Sequence, residues 1–390
     1  MRENSPSVSS AARPLLVFAD DWGRHPSSGQ HLVRHLLPDH PTTWVNTIGT
    51  RTPRLDRATI RRAAGKVRQW FAPETEAMAA PLPANLTVLN PKMWPWLTRK
   101  LDRRLNRKLL RRQLVPAIRS MPSPPVAVTT LPVVADLMGE LPVAKWVYYC
   151  VDDFGQWPGL DRKTMARMEE MVVARADAII AASATLQRRI AAMGRDSSLL
   201  THGVDLPFWS ASNGPTPEID RLERPLILFW GVVDRRMEVS FLRQLSNDLT
   251  HGRIVLAGPE QGPDPELLRL PRVHRIGPVP FDRLPAFARE AAVLIMPYAD
   301  RPVTQAMQPL KLKEYLATGK PAVVSDLPAN REWTDALDLV DSAAAFSATV
   351  RRRLETGLPE EQATARLRLV HEGWAEKSRA FADIAFGGVP

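Results

Sequence analysis

A chain of 390 residues with 44% hydrophobic and 24% charged side chains has room for two globular domains, each with its own core. Cys150 is the only cysteine, which excludes an intrachain disulfide, and no apolar run reaches the roughly 18 residues of a membrane span, so a reducing, cytoplasmic setting is expected. A formal net charge of +10 calls for an anionic partner or surface, with nucleic acid and anionic lipid as the two candidates.

Residues 1–12 are Ser-rich, lack an apolar pattern and read as a disordered leader. Residues 14–19 form a first buried strand, too short for a signal-peptide core. The strand runs into a polar turn over 20–31, ahead of an amphipathic segment over 32–37. In an open parallel sheet the ligand loops follow the carboxyl ends of strands, so Asp21, His25, Ser28 and His31 are candidates to line a crevice. Capping of a helix or turn is the alternative role for Asp20 and Asp21. The loop is not G-x-G-x-x-G, so a plain dinucleotide fingerprint is absent.

Residues 43–46, 86–89 and 126–129 read as further strands. Between the last two, Trp94-Pro95-Trp96-Leu97 leads into a long basic helix around 97–114. Leu97, Leu101, Leu105, Leu109 and Leu110 recur there at helical spacing, and arginines and lysines fill most of the other positions. From Arg51 to Arg119 bases far outnumber Asp56, Glu74, Glu76 and Asp102. A basic amphipathic helix with aromatic anchors lies on anionic membrane interfaces, at about 1 kcal/mol per basic residue near the surface. The alternative is a leucine stripe docked on the domain's own core beneath a solvated basic face. Both hold together if leucines point inward and arginines meet lipid headgroups. No helix-turn-helix, zinc-finger or RNA-binding signature accompanies the charge, so nucleic acid is not the expected partner.

The strand over 145–151 ends in Asp152-Asp153-Phe154. Carboxylates at strand ends are placed for catalysis, and one of this pair is a candidate base for an acceptor hydroxyl; the alternative is a cap on the helix over 162–174. A strand over 176–183, a helix over 184–193 and the segment 199–205 close the first half. Asn213-Gly214-Pro215 marks a linker over 210–220.

The second half restarts with a strand over 225–230 that delivers Gly231, followed by Arg235 and Arg236. Glycine permits close backbone approach there, and the two arginines can neutralise a diphosphate. Strands at 253–257 and 273–277 and a helix over 284–290 precede the densest stretch of the chain, 293–328. A short apolar run ends in Met296-Pro297-Tyr298. A helix then begins at Pro309, ends before Gly319 and leads into the strand 321–325. Lys311 and Lys313 sit in the first turns of that helix, where cations are disfavoured unless an anion is bound to the free N–H groups. The alternative places both on a solvated face. Glu314, one turn in, can accept paired hydrogen bonds from vicinal hydroxyls, as on ribose, and phosphate plus ribose spells a nucleotide. The tail over 359–386 reads helical, with Leu367, Val370, Trp374 and Phe381 as its apolar points. Alternating strands and helices in both halves predict two doubly wound α/β domains, at 13–209 and 221–360, with helices over 361–390 packing back towards the first. The eight histidines show no metal-ligand spacing.

These motifs resemble the GT-B glycosyltransferases of group 1, or family 4, and most of all the bacterial teichuronic-acid and exopolysaccharide enzymes. The likeness covers roughly residues 13–385 and is carried by Gly277-Pro278-Val279-Pro280, Met296-Pro297-Tyr298 and the run from Pro309 to Pro321, more loosely by Tyr149-Cys150-Val151-Asp152-Asp153 and His202-Gly203-Val204-Asp205. It implies two Rossmann-like domains facing across a cleft, with a C-terminal helix crossing back. It implies a sugar transferred from a nucleotide-diphosphate donor to a lipid-linked or polysaccharide acceptor at the inner face of the cytoplasmic membrane. No cofactor or bound metal is implied, because basic residues and a helix dipole stabilise the leaving diphosphate. Glu314 would bind the donor ribose, and Lys311 and Leu310 the diphosphate with help from Arg235 and Arg236. Gly231, Pro309 and Gln308 would complete the donor side, and Val279 and Pro280 would flank the base. Asp21, His25, Ser28 and His31 would face the acceptor. The family's second glutamate, eight residues before Glu314, is Ala306 here, with Gln305 and Gln308 nearby, and its Asn before Gly-Val-Asp is His202. That departure keeps two other functions open: a catalytically inactive partner subunit, and a nucleotide-sugar epimerase on the same plan.

Overall fold

The computed structural model describes residues 13–23, 27–46, 81–157, 159–211 and 214–388. The expected leader over 1–12, His25 and the basic stretch before residue 81 lie outside the described residues. The chain divides into two compact units, Met1–Ala182 with Leu186–Leu200 and Ser378–Pro390, and Ser183–Thr185 with Thr201–Lys377.

In the first unit β1 (Leu15–Ala19) is buried at every position. A strand without inside-outside alternation has both faces covered, the condition of a parallel sheet flanked by helices. Around it come α1 (Ser28–Leu36), β2 (Thr42–Asn46), β3 (Leu86–Leu89), α2 (Lys100–Arg119), β4 (Val126–Thr129), β5 (Lys145–Cys150), α3 (Arg162–Arg175), β6 (Ala178–Ala181), α4 (Ala184–Ala192) and β7 (Ser198–Leu199). The seven strands are all parallel, in the order β3-β2-β1-β4-β5-β6-β7. The order reverses between β1 and β4, which opens a crevice beyond their carboxyl ends. α1 begins four residues before the predicted amphipathic segment because Ser27 caps it, its Oγ accepting from Gln30 N at 3.4 Å. The described C-terminal residues close this unit: Ser378 Oγ donates to Leu32 O at 3.1 Å, and Lys145 Nζ donates to Ile384 O and Gly387 O at 2.9 and 2.7 Å.

The leucines of α2 do not form one inward stripe. Leu110, Leu114 and Ile118 are buried with Asn106, whereas Leu101 is 72% and Leu105 41% exposed. The expectation that all its leucines face the core is corrected for these two: from Leu105 to Leu114 is nine steps of 100°, half a turn away.

The second unit carries α5 (Leu206–Ser210), β8 (Leu226–Trp230), β9 (Val233–Asp234), α6 (Val239–Asp248), β10 (Arg253–Ala257), β11 (Glu260–Gln261), β12 (Val273–Gly277), α7 (Leu284–Glu290), β13 (Val293–Met296), α8 (Pro302–Ala306), α9 (Leu310–Ala317), β14 (Ala322–Ser325), β15 (Asp338–Val340), α10 (Ala343–Thr356) and α11 (Glu360–Ala365), and a last helix, α12 (Trp374–Phe386), starts in it and belongs from Ser378 onward to the first unit. Its main sheet is parallel in the order β12-β10-β8-β13-β14-β15, and β9 pairs with β11 beside it. The order reverses again at the first strand, between β8 and β13. Leu367 and Val370, predicted apolar points of the tail, are 74% and 59% exposed, while Trp374 and Phe381 are buried.

Candidate active site

The reversal point of the second sheet gathers three of the predicted residues. β8 delivers Gly231, and α9, which starts after Pro309 and stops at Gly319 (φ +72°), delivers Lys311 and Glu314. Lys311 lies directly over Gly231: a Cβ built there would stand 2.1 Å from Lys311 Nζ. Gly231 also adopts φ +135°, a region that side chains other than glycine rarely enter. The ammonium donates to Tyr298 Oη at 2.6 Å and sits 4.6 Å from the Phe229 ring centroid and 5.2 Å from that of Tyr298. An aromatic seat holds the cation in place without neutralising it.

Glu314 is half-buried on the same helix, and its Oε2 accepts from Trp230 Nε1 at 3.1 Å. Burial pushes its carboxyl up to about 7, against the pull of the Trp230 indole and of Lys311. The indole is immobilised in turn: Trp209 stacks on it at 5.1 Å and 10°, and Tyr315 meets it edge-on at 4.2 Å. Tyr315 Oη donates to Ile295 O at 3.1 Å, tying helix to sheet. The sequence reading gave Trp230, Tyr298 and Tyr315 no role in the site, although Tyr298 and Tyr315 lie in the motifs it singled out and an aromatic residue directly before a strand-end glycine was a usable signal.

The other donor-side candidates are placed less uniformly. Arg235 is exposed. Arg236 is buried and grips Asp234 through Nε, 3.0 Å from both carboxylate oxygens, while its guanidinium lies 5.7 Å from the Tyr298 ring. Gln308 is buried, and its Nε2 finds no hydrogen-bond partner among the described residues. Pro309 is buried and Leu310 half-buried. Val279 packs against the core and Pro280 is exposed at the start of the turn Phe281–Arg283.

Lys313, expected beside Lys311 at the anion site or in solvent, does neither. It is 1% exposed, donates to His202 O at 2.6 Å and Thr201 Oγ1 at 3.1 Å, and pairs with Glu372. Two positions along a helix turn a side chain through about 200°, so Lys311 and Lys313 cannot share a face.

In the first unit the aspartate pair splits. Asp152 is half-buried at the end of β5. Asp153 is buried, with Arg189 Nε 3.4 Å from its Oδ2, and its Oδ1 has no hydrogen-bond partner among the described residues. Arg189 also donates to both oxygens of the fully buried Glu169, which accepts from Tyr148 Oη at 3.0 Å. Asp21 is half-buried, and its carbonyl accepts from Gln30 Nε2 at 3.4 Å. Ser28 is buried and bonded to Tyr149, whose burial holds that phenol above its ordinary range. His31 is half-buried. Among the described residues no group of three or more His, Cys, Asp or Glu side chains could hold a metal ion, and no helix is long and apolar enough to cross a membrane.

A glycine gap, a cation on an aromatic seat and a half-buried acid one helical turn away can bind a phosphate and a hydroxyl together. Residues 224–356 match the family model described as glycosyl transferases group 1. A Bacillus subtilis (strain 168) protein, TuaH, named provisionally as a teichuronic acid biosynthesis glycosyltransferase, is 29% identical over 178 residues. That match takes in 43% of this chain and 45% of the relative, less than half of either. Among solved structures, sucrose-phosphate synthase from Thermosynechococcus elongatus superposes with a TM-score of 0.69 at 14% identity, over 95% of this chain and 98% of the other. The E. coli trehalose-6-phosphate protein bound with UDP-2-fluoro glucose gives 0.67 at 14% identity, over 97% of this chain and 100% of its own. The chain thus has the GT-B fold, and its residues 224–356 match the model of the group 1 glycosyl transferases.

Proposed function

We propose that the chain is a glycosyltransferase that moves a hexosyl group from a nucleotide-diphosphate donor to a lipid-linked or polysaccharide acceptor, working at the cytoplasmic face of the membrane. The observation that carries this reading is the Lys311 ammonium seated over Gly231 at the reversal of the β8–β13 sheet, with the Glu314 carboxyl one turn away. Lys311 and the free N–H groups at the start of α9 meet the donor diphosphate. They stabilise the charge that grows on it as the glycosidic bond breaks, a task that needs no metal ion. Glu314 accepts from the ribose hydroxyls, held in position by Trp230. The buried, unpartnered Gln308 Nε2 has a donor ligand as its acceptor. Of the two aspartates, Asp152 is the one exposed enough to take a proton from an acceptor hydroxyl; Asp153 serves the Arg189–Glu169 pair. The outward face of α2, with Leu101 and Leu105 among arginines and lysines, provides the membrane contact.

Release of nucleotide diphosphate across a panel of sugar nucleotides, with and without a chelator, tests the reading. Wild type should turn over one donor class undiminished by chelator, and Glu314→Ala should lose on the order of a hundred-fold, about 2.7 kcal/mol. Equal turnover in both proteins would remove Glu314 from the site. Ala306, buried where the family carries its second acid, favours one other reading, a nucleotide-binding subunit without catalysis. Donor binding without turnover on every acceptor would select it.

A further inference from the structure

A cavity of about 500 Å³ in the first unit lies between the first turns of α2 and α3 and is lined by six cations together with Thr98, Thr164, Met171 and one acid. Lys100, Arg103, Arg104 and Arg107 enter it from α2, Lys163 and Arg167 from α3, and Asp136 is its one acid. Asp136 is spent on Arg103, accepting from its Nε and Nη2 at 2.7 Å each. Arg107 has Glu140 at 3.6 Å. Lys100, Arg104 and Arg167 form no ion pair among the described residues and Lys163 has only a weak attraction to Asp161, so four largely uncompensated positive charges converge on one concavity. Like charges brought together without a counterion repel, and a multiply charged anion relieves that.

Topology and polarity narrow the ligand. Both helices follow strands, β3 and β5, so the cavity opens at the carboxyl end of the sheet, where Asp152 also lies. On the same stretch of α2, next in sequence to the lining residues Lys100 and Arg104, Leu101 and Leu105 are exposed, and Trp94, 39% exposed, donates from Nε1 to Asp102 Oδ1 at 3.0 Å. An apolar strip next to an anion site matches an amphiphile, with its charged group in the cavity and its chains along the leucines.

We propose that the α2–α3 cavity is a binding site for the phosphate headgroup of an anionic lipid, selective for a phosphomonoester over a singly charged headgroup. The site rests on the membrane reading above and sharpens it. Diffuse attraction would follow total charge, whereas four converging cations favour the headgroup that concentrates charge on one phosphorus.

The test uses the full chain and phosphatidylcholine vesicles doped either with phosphatidic acid or with phosphatidylserine at equal surface charge. Wild type should sediment with the phosphatidic acid vesicles at about ten-fold lower lipid concentration, a preference beyond the roughly equal gain per basic residue that surface charge alone provides. Lys163→Gln with Arg167→Gln, both exposed side chains, should abolish the preference and leave phosphatidylserine binding largely intact. Lys108→Gln with Arg112→Gln, exposed on α2 outside the cavity, should weaken both bindings alike. Equal affinity of wild type for the two vesicles would overturn the cavity site and leave the membrane reading standing. Failure to sediment with any anionic vesicle would overturn both. Glycerol 3-phosphate competing at micromolar concentration would also overturn the lipid assignment, since the source would then be a soluble phosphate.

Discussion

Glu314 makes the donor site sensitive to pH. Its carboxyl titrates at about 7 in the folded chain, above the ordinary value of 4.5. Below 7 it carries a proton, which uses up an oxygen that a sugar hydroxyl would otherwise donate to. Donor affinity should therefore rise as pH climbs through 7 and level off above about 8, and Glu314→Gln should flatten the profile, both read from nucleotide-diphosphate binding by calorimetry. Stability runs the other way. A folded-state carboxyl titrating above its unfolded value holds the extra proton between 4.5 and 7, so its stabilisation is fully present below 4.5 and is lost as pH rises to 7. Glu314→Gln should thus gain stability relative to wild type at pH 8 by up to about 3 kcal/mol, measured by urea unfolding. Gly231→Ala tests the neighbouring contact: its methyl group takes the place of Lys311 Nζ, and donor affinity should fall at least about ten-fold while the second sheet still folds. Much of this site was legible in the sequence, since glycine, lysine and glutamate sat at ends of recognisable elements. Lys313 was not read correctly, although an i, i+2 spacing already put it opposite Lys311.

At the scale of elements, α9 is held from behind by what Lys313 reaches. Its ammonium joins the helix to Thr201, to His202 and to Glu372 in the turn Arg366–Glu372, and Lys377 approaches the same carboxylate at 2.7 Å. Burial lowers the Lys313 ammonium below its ordinary range. Lys313→Ala leaves Glu372 short of a partner and opens a cavity under the donor helix, so unfolding in urea should come easier by about 3 kcal/mol. Gly203 marks the closeness of the same packing: a Cβ there would lie 2.8 Å from the Trp374 ring. The helix α2 shows what periodicity by itself misses. Leucines spaced by four satisfy a helical count, yet the drift of 40° per step carries the stripe round the helix. The core then takes Leu110 and Leu114, and Leu101 and Leu105 are left outside.

For the whole chain, alternating apolar runs and amphipathic helices were enough to foresee two doubly wound sheets, because parallel strands buried on both faces read as continuous hydrophobic runs. The end of the chain was harder, since exposed Leu367 and Val370 and buried Trp374 and Phe381 look alike to a pattern count. The described part of Ser378–Pro390 completes the first unit: Phe381 meets Tyr149 edge-on at 5.8 Å and Phe386 stacks on His40 at 4.1 Å. Ending the chain after Lys377 should lower the stability of that unit by about 3 kcal/mol or more through the lost aromatic burial. Amide hydrogen exchange should then accelerate in β1 and β5 and stay unchanged in β8 and β13; uniform acceleration would contradict the division.

Cys150 lies at the end of β5, fully buried and bonded towards Glu169 at 3.7 Å, and burial holds its thiol well above the ordinary range. A thiol kept protonated and out of solvent reacts slowly with maleimides and iodoacetamides. The native chain is therefore already a silent background for site-specific labelling. A fluorophore or spin label attached through one introduced cysteine, at Trp94 or Leu101 for instance, would report on its own position alone.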